Sequence, residues 1–308
     1  MFLRIIVTVV FPIFALIGVG ALLNRVRRLD LTTLTDLNFY VFVPALVFVK
    51  MLDADLAAGP LVTVGLFSAV HALLLLALAW AVFSRGALVH VRTAGGLCVM
   101  FFNAGNYGIP LTILAFGDQQ VSIIAVVMIV QNLLTFTLGI WLLERKGVHP
   151  VRALVQMMKV PTVDAILLAF ALRGLGAIPP APLRQVIDYL GNGLIPIALL
   201  TLGVQLGRSR PARDLLPLAT VTVLRLAASP LVAALLVLAF RFGPPVSAVL
   251  IASAGLPVAV NVYILTARYR EHEEFASQAV FWTTLLSAVT ISVLLMLVWH
   301  QPLPLPEP

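Results

Sequence analysis

Two short runs hold the residue types that could manage a charged small molecule. The first, FFNAGNYGIPL from Phe101 to Leu111, carries Asn103, Gly105, Asn106, Gly108 and Pro110; the second, SAGLPVAVNVYIL from Ser253 to Leu265, carries Gly255, Pro257 and Asn261. Each weak point opens with Ala-Gly, at Ala104-Gly105 and Ala254-Gly255. Proline lacks the N–H that a helix interior needs and clashes with the preceding turn, and glycine adds backbone freedom, so a helix through either run is expected to unwind at its centre. Unwinding frees the first amides of the half-helix that follows. Their partial positive charge suits an anion, which Asn103, Asn106 and Asn261 would orient by hydrogen bonds. For one such run alone, ordinary membrane-helix Gly and Pro and a helix-tying Asn are the simpler explanation; two at equivalent positions of two halves favour a binding site.

The elements that must position these runs are membrane helices. Of the 308 residues 61% are hydrophobic and only 11% charged, and the mean hydropathy is +1.07. Soluble domains are roughly half apolar and a quarter charged. A crossing helix needs roughly 20 apolar residues. That yardstick gives ten spans in one all-α polytopic domain, at 4–24, 34–52, 61–83, 92–116, 120–143, 160–175, 185–206, 215–240, 244–267 and 275–299. The first apolar run, Ile5 to Leu23, is followed by Arg25, Arg27 and Arg28 rather than a small-residue cleavage pattern, so it reads as a retained helix. With the N-terminus outside, the inner loops collect 14 of the 20 Lys and Arg residues, including Arg85, Arg92, Arg145, Lys146, Arg208 and Arg268. The positive-inside rule then places both termini outside, which is periplasmic for a protein of a bacterial inner membrane.

The basic connection 146–159 divides the chain into residues 1–145 with five spans and 160–300 with five more, before a Pro-rich tail at 301–308. An odd number of spans per half obliges the second half to enter with opposite orientation, the condition for a 5+5 inverted repeat whose broken fourth and ninth helices correspond. The second spans pair too: Asn38 precedes Pro44 as Asn192 precedes Pro196. Among other polar residues at membrane depth, Arg225 either balances a substrate carboxylate or pairs structurally with Asp164, and Asp164 either couples protons or is an ordinary interfacial acid. Gln131, Asn132, Tyr263 and Gln278 either line a cavity or tie helices together. Gly203 and Gly207 have the spacing of a close helix contact or of a homodimer face.

The runs Asn103 to Leu111, Gly255 to Tyr269 (GLPVAVNVYILTARY) and Gly191 to Gly207 (GNGLIPIALLTLGVQLG) resemble the auxin efflux carrier family, over essentially the whole chain. The resemblance implies a scaffold domain and a transport domain, with two discontinuous helices crossing at the substrate site. Asn103, Asn106 and Pro110, with Pro257 and Asn261, take the crossover positions. The very long hydrophilic central loop of some plant members is missing, so regulation through it is not expected. The expectation is therefore a secondary carrier that moves a small organic anion by alternating access. It needs no cofactor, has H+ or Na+ as the candidate coupling ion, sits in lipid and binds no nucleic acid. An anion channel is the nearer rival and an intramembrane enzyme the remoter one. Neither Ser253 nor Asp164 has a base beside it in sequence, no nucleotide-binding glycine motif occurs, and five scattered His with one Cys, Cys98, give no metal-ligand spacing.

Overall fold

The computed structural model describes residues 2–53, 58–144, 161–208 and 214–298. The connection at 146–159 and the tail at 301–308 lie outside them. Helices are numbered in chain order: α1 (Phe2–Arg27), α2 (Leu31–Leu52), α3 (Gly59–Phe83), α4 (Gly86–Met100), α5 (104–116), α6 (Asp118–Glu144), α7 (Pro161–Gly174), α8 (Ala181–Leu206), α9 (Leu215–Phe240), α10 (Pro244–Ala254), α11 (Val260–Tyr269) and α12 (Glu273–Val298). Seven of them, α1, α2, α3, α6, α8, α9 and α12, are long and apolar enough to cross a membrane unbroken. The other apolar helices pair end to end, α4 with α5 and α10 with α11, as the interrupted fourth and ninth passes; α7 is a short sixth. The protein is a polytopic membrane protein, helical along almost all of its described length.

Where the helix ends differ from expectation, local chemistry explains it. The second pass begins at Leu31 rather than 34 because the Asp30 carboxylate caps it, accepting from the amides of Thr32 (3.3 Å) and Thr33 (3.0 Å). That bonding, led by the Thr33 hydroxyl, holds the Asp30 carboxyl below its ordinary range.

Proline also shapes the helices internally. Widened π-helical turns at Ile6–Val10, Asn38–Phe42, Ala104–Gly108 and Leu224–Ala228 each stand directly before a residue pair ending in Pro12, Pro44, Pro110 or Pro230. The proline ring cannot accept the regular carbonyl position one turn back, and the wider turn relieves the clash. A fifth, Thr135–Gly139, has no proline. There the Thr135 and Thr137 hydroxyls bond back to the carbonyls of Gln131 and Leu133, both at 2.7 Å, which loosens the ladder in the same way.

Packing sorts the helices into two groups. In the first, α1 lies along α8 and α2 is clasped by α7 and α8; in the second, α3 packs on α4, α6 and α9, α9 on α10, and α11 on α12. The α1–α8 contact is unusually close because it is built on glycine: a Cβ on Gly20 would lie 2.2 Å from the Leu200 carbonyl oxygen, and one on Gly203 would lie 2.0 Å from that of Ile17. Gly203 and Gly207 thus serve a helix contact within the chain. Exposed side chains such as Val62, Leu66, Leu235, Leu238, Val289 and Leu297 give the outer faces of α3, α9 and α12 the apolar surface that hydrocarbon requires.

Candidate functional site

The two interruptions meet. Helix α4 ends at Met100, the chain leaves the helix through Phe101 and Phe102 and turns at Asn103, and α5 begins at Ala104; helix α10 ends at Ala254 and α11 begins at Val260. The two connecting stretches pass antiparallel and form a bridge between Phe102 and Val258. Its rungs are the Asn103 N–H donating to the Pro257 carbonyl (2.9 Å) and the Ala259 N–H donating to the Phe101 carbonyl (3.0 Å). Each unwound strand so supplies the backbone partners the other lost, which is what allows non-helical backbone at this depth. The Val258 N–H, which points away from the bridge, donates to the Thr283 hydroxyl of α12 at 3.0 Å. Thr283→Val keeps the volume but leaves that amide buried without an acceptor, and should destabilise the protein by about 1–3 kcal/mol. A lowered melting temperature in detergent checks it.

A cavity with about 80 Å³ of water-accessible space lies beside the bridge, at the seam between the two helix groups. The α2 side contributes Thr35, Asn38, Phe39 and Val43 and α7 contributes Thr162; opposite stand Phe102 to Asn106, residues of α6 from Met128 to Thr135, and Ala259 to Asn261. The N-termini of α5 and α11 both border it, through Ala104 to Asn106 and Ala259 to Asn261. Asn103 is built into the start of α5: its Oδ1 accepts from the Asn106 N–H (3.1 Å) and its backbone carbonyl from the Gly108 N–H (2.9 Å). Among the described residues its Nδ2 has no partner, nor has either polar atom of the Gln131 side chain, nor Asn38 Oδ1. These residues are 6%, 3% and 3% exposed. Buried amides are normally satisfied, and an orphan costs about 1–3 kcal/mol, so these groups leave hydrogen-bonding capacity beside the cavity. Asn261 donates through Nδ2 to Asn132 Oδ1 at 3.2 Å, joining α11 to α6.

Of the residues expected from sequence, Asn103, Gly105, Asn106, Asn261 and Asn38 line the cavity. Gly108, Pro110, Gly255 and Pro257 do not; they shape it from behind. A Cβ on Gly108 would lie 2.8 Å from Leu256 Cδ1, so glycine there lets α5 seat against the second interruption. Asn38 also donates to the Thr201 hydroxyl (3.2 Å), whereas Asn192 is exposed, so the sequence parallel between them does not extend to their surroundings. Tyr263 packs against the core outside the cavity lining. Gln278 lines a different cleft, with His90, Asp214 and Glu274. Of the two alternatives for Arg225, the pairing with Asp164 is not formed: Asp164 is exposed on α7, while Arg225 is wholly buried behind Phe102. The lining residues Thr35, Phe39, Met128, Thr135 and Thr162 were not foreseen; only the adjacent amides of Gln131 and Asn132, inside an otherwise apolar span, gave a sequence signal on α6.

On one side the cavity adjoins a vestibule of about 620 Å³, sharing Thr35, Phe39 and Asn261 with it. Asp36, Tyr40, Glu144, Arg268 and Tyr269 are among its lining residues. The Tyr269 hydroxyl donates to the Glu144 carboxylate at 2.8 Å.

Residues 150–295 match the family model described as "Membrane transport protein". The fold is that of a polytopic membrane protein, and a little under half of the chain is similar to a family of membrane transport proteins. Across 96% of each chain the protein is 29% identical to a protein of Rhizobium meliloti named "Putative malonate transporter". It is 27% identical to an "Uncharacterized transporter" of Methanothermobacter thermautotrophicus, over 92% of this chain and 95% of that one.

Proposed function

We propose that the protein is a secondary carrier for a small carboxylate, bound at the crossing of its two interrupted helices. The observation that carries this reading is the cavity where two helix N-termini converge with the unpartnered amides of Asn103 and Gln131. Among the described residues the lining holds no charged side chain, so an anion there would be held by dipoles and amide donors. The name of the Rhizobium relative makes malonate the first substrate to try.

The seam location supports a transport cycle by alternating access. Helices α1, α2, α7 and α8 form the scaffold, and the group carrying the crossing slides against it, exposing the cavity alternately to the two sides. Each half of the chain supplies five passes to this 5+5 inverted repeat. With the positive-inside orientation, both termini are periplasmic in a bacterial inner membrane and the Arg268 vestibule is cytoplasmic, which makes this conformation inward-facing.

The test is uptake of labelled malonate and of aryl acids into proteoliposomes under imposed H+ or Na+ gradients, which also identifies the coupling ion. Saturable uptake supports a carrier over a channel. In Gln131→Leu, which keeps the bulk and removes the amide, KM for the transported acid should rise about tenfold, the worth of one hydrogen bond to a charged group. Uptake of no carboxylate by wild-type protein would defeat the reading.

A further inference from the structure

Arg225 sits in the π-helical turn of α9, fully buried, with no carboxylate among its hydrogen-bond partners. Its guanidinium donates to the Val99 carbonyl at the end of α4, to the Ala254 carbonyl at the end of α10, and to the Ser229 hydroxyl. Ser229 in turn donates to the same Ala254 carbonyl at 2.7 Å, and His71 Nε2 lies 3.1 Å from the Ser229 carbonyl. Beyond these bonds, the guanidinium rests 5.0 Å from the ring centroid of Phe102, a residue that also lines the cavity. One cation therefore caps the C-termini of both half-helices that stop at the crossing.

The electrostatic consequence follows from counting helix ends. Each helix N-terminus carries about half a positive charge and each C-terminus about half a negative one. Four ends meet here, α5 and α11 contributing the positive pair and α4 and α10 the negative pair. Left alone, the negative pair opposes the positive one at the crossing. A guanidinium, protonated at every physiological pH, neutralises the two C-termini and leaves the N-terminal pair uncompensated.

We propose that Arg225 is the positioning residue that makes the crossing selective for anions, by cancelling the C-terminal dipoles of α4 and α10 without touching the substrate. This rests on the carboxylate reading above. It separates the charge that sets selectivity from the amides that bind.

The experiment compares wild type with Arg225→Gln, Arg225→Met and Arg225→Lys in binding and uptake of malonate and competition by malonamide, its uncharged analogue. Gln retains donors for the two carbonyls but not the charge, and serves where Met does not fold; Lys retains the charge with fewer donors. In Gln and Met, malonate affinity should fall about tenfold or more, the scale of a partly buried helix-end charge interaction, while malonamide competition stays within about twofold. Lys should restore most of the malonate preference. Unchanged malonate affinity in Gln, or malonate and malonamide weakened in equal proportion, would overturn the inference and leave Arg225 a structural staple. A wild type without preference for malonate over malonamide would count against the carboxylate reading as well; a wild-type preference that survives Arg225→Gln counts against the inference alone.

Discussion

Gly203→Val should abolish recovery of folded protein from detergent, while Gly207→Ala, four residues along the same helix, should leave the melting temperature within a few degrees. The difference is one of distance to backbone. A Cβ on Gly203 would stand 2.0 Å from the Ile17 carbonyl oxygen and 2.9 Å from the Ala21 nitrogen, and neither backbone atom can swing away as a side chain would. One on Gly207 would find its nearest atoms at 3.5 and 3.6 Å, ordinary van der Waals separation. To admit any side chain at Gly203, α1 and α8 must part, and the parting also strips Gly20 from the Leu200 carbonyl. Overpacking of this kind costs about 1–3 kcal/mol in a core that can yield, and more where only backbone can move. In a membrane the loss is harder to recoup, since lipid chains are as apolar as the side chains and association rests on close packing itself. Size-exclusion profiles and thermal melts of the two variants decide it; a monodisperse Gly203→Val melting like wild type would show that α1 and α8 do not need this approach.

That glycine pair shows what kind of information a single sequence carries. Spacing alone left Gly203 and Gly207 open between an internal contact and a dimer face, because periodicity reports which residues share a helix face and not what the face meets. The weak points were legible for the opposite reason: Pro110 widens the turn that opens α5, and Gly255 and Pro257 lie in the second interruption, so each acts on nearby backbone and is readable from identity. Arg225 marks the limit. Its burial cost forced a partner, and Asp164 was the available opposite charge, but the partners are the carbonyls of Val99 and Ala254, backbone groups that every residue possesses and no sequence pattern advertises. The same holds for Thr283, whose hydroxyl meets the Val258 amide only because the ninth pass is unwound. Residues such as Thr35 and Thr162 line the cavity through the way α2 and α7 lie across the crossing, which is a property of tertiary packing.

Asn103→Asp should keep the protein folded, with a melting temperature at or above that of wild type, and reduce carboxylate uptake at least about 100-fold. The substitution separates the two ends of one side chain. Oδ1, which accepts from the Asn106 N–H at the first turn of α5, is retained, and a carboxylate at a helix N-terminus strengthens the cap. Nδ2, which is buried, unpartnered and beside the cavity, is replaced by an oxygen that offers the ligand no proton and carries negative charge. Loss of a donor to a buried anion and the addition of a like charge each cost a few kcal/mol, enough together for two orders of magnitude or more in KM. Asn103→Ala, by contrast, removes the cap as well and should lower both the melting temperature and transport, so it cannot tell the roles apart. If Asn103→Asp transports malonate as the wild type does, the anion does not approach α5 at this residue. The amides of Gln131 and the start of α11 would then have to hold it instead. If uptake falls only in proportion to lost folded protein, Asn103 is a cap and nothing more.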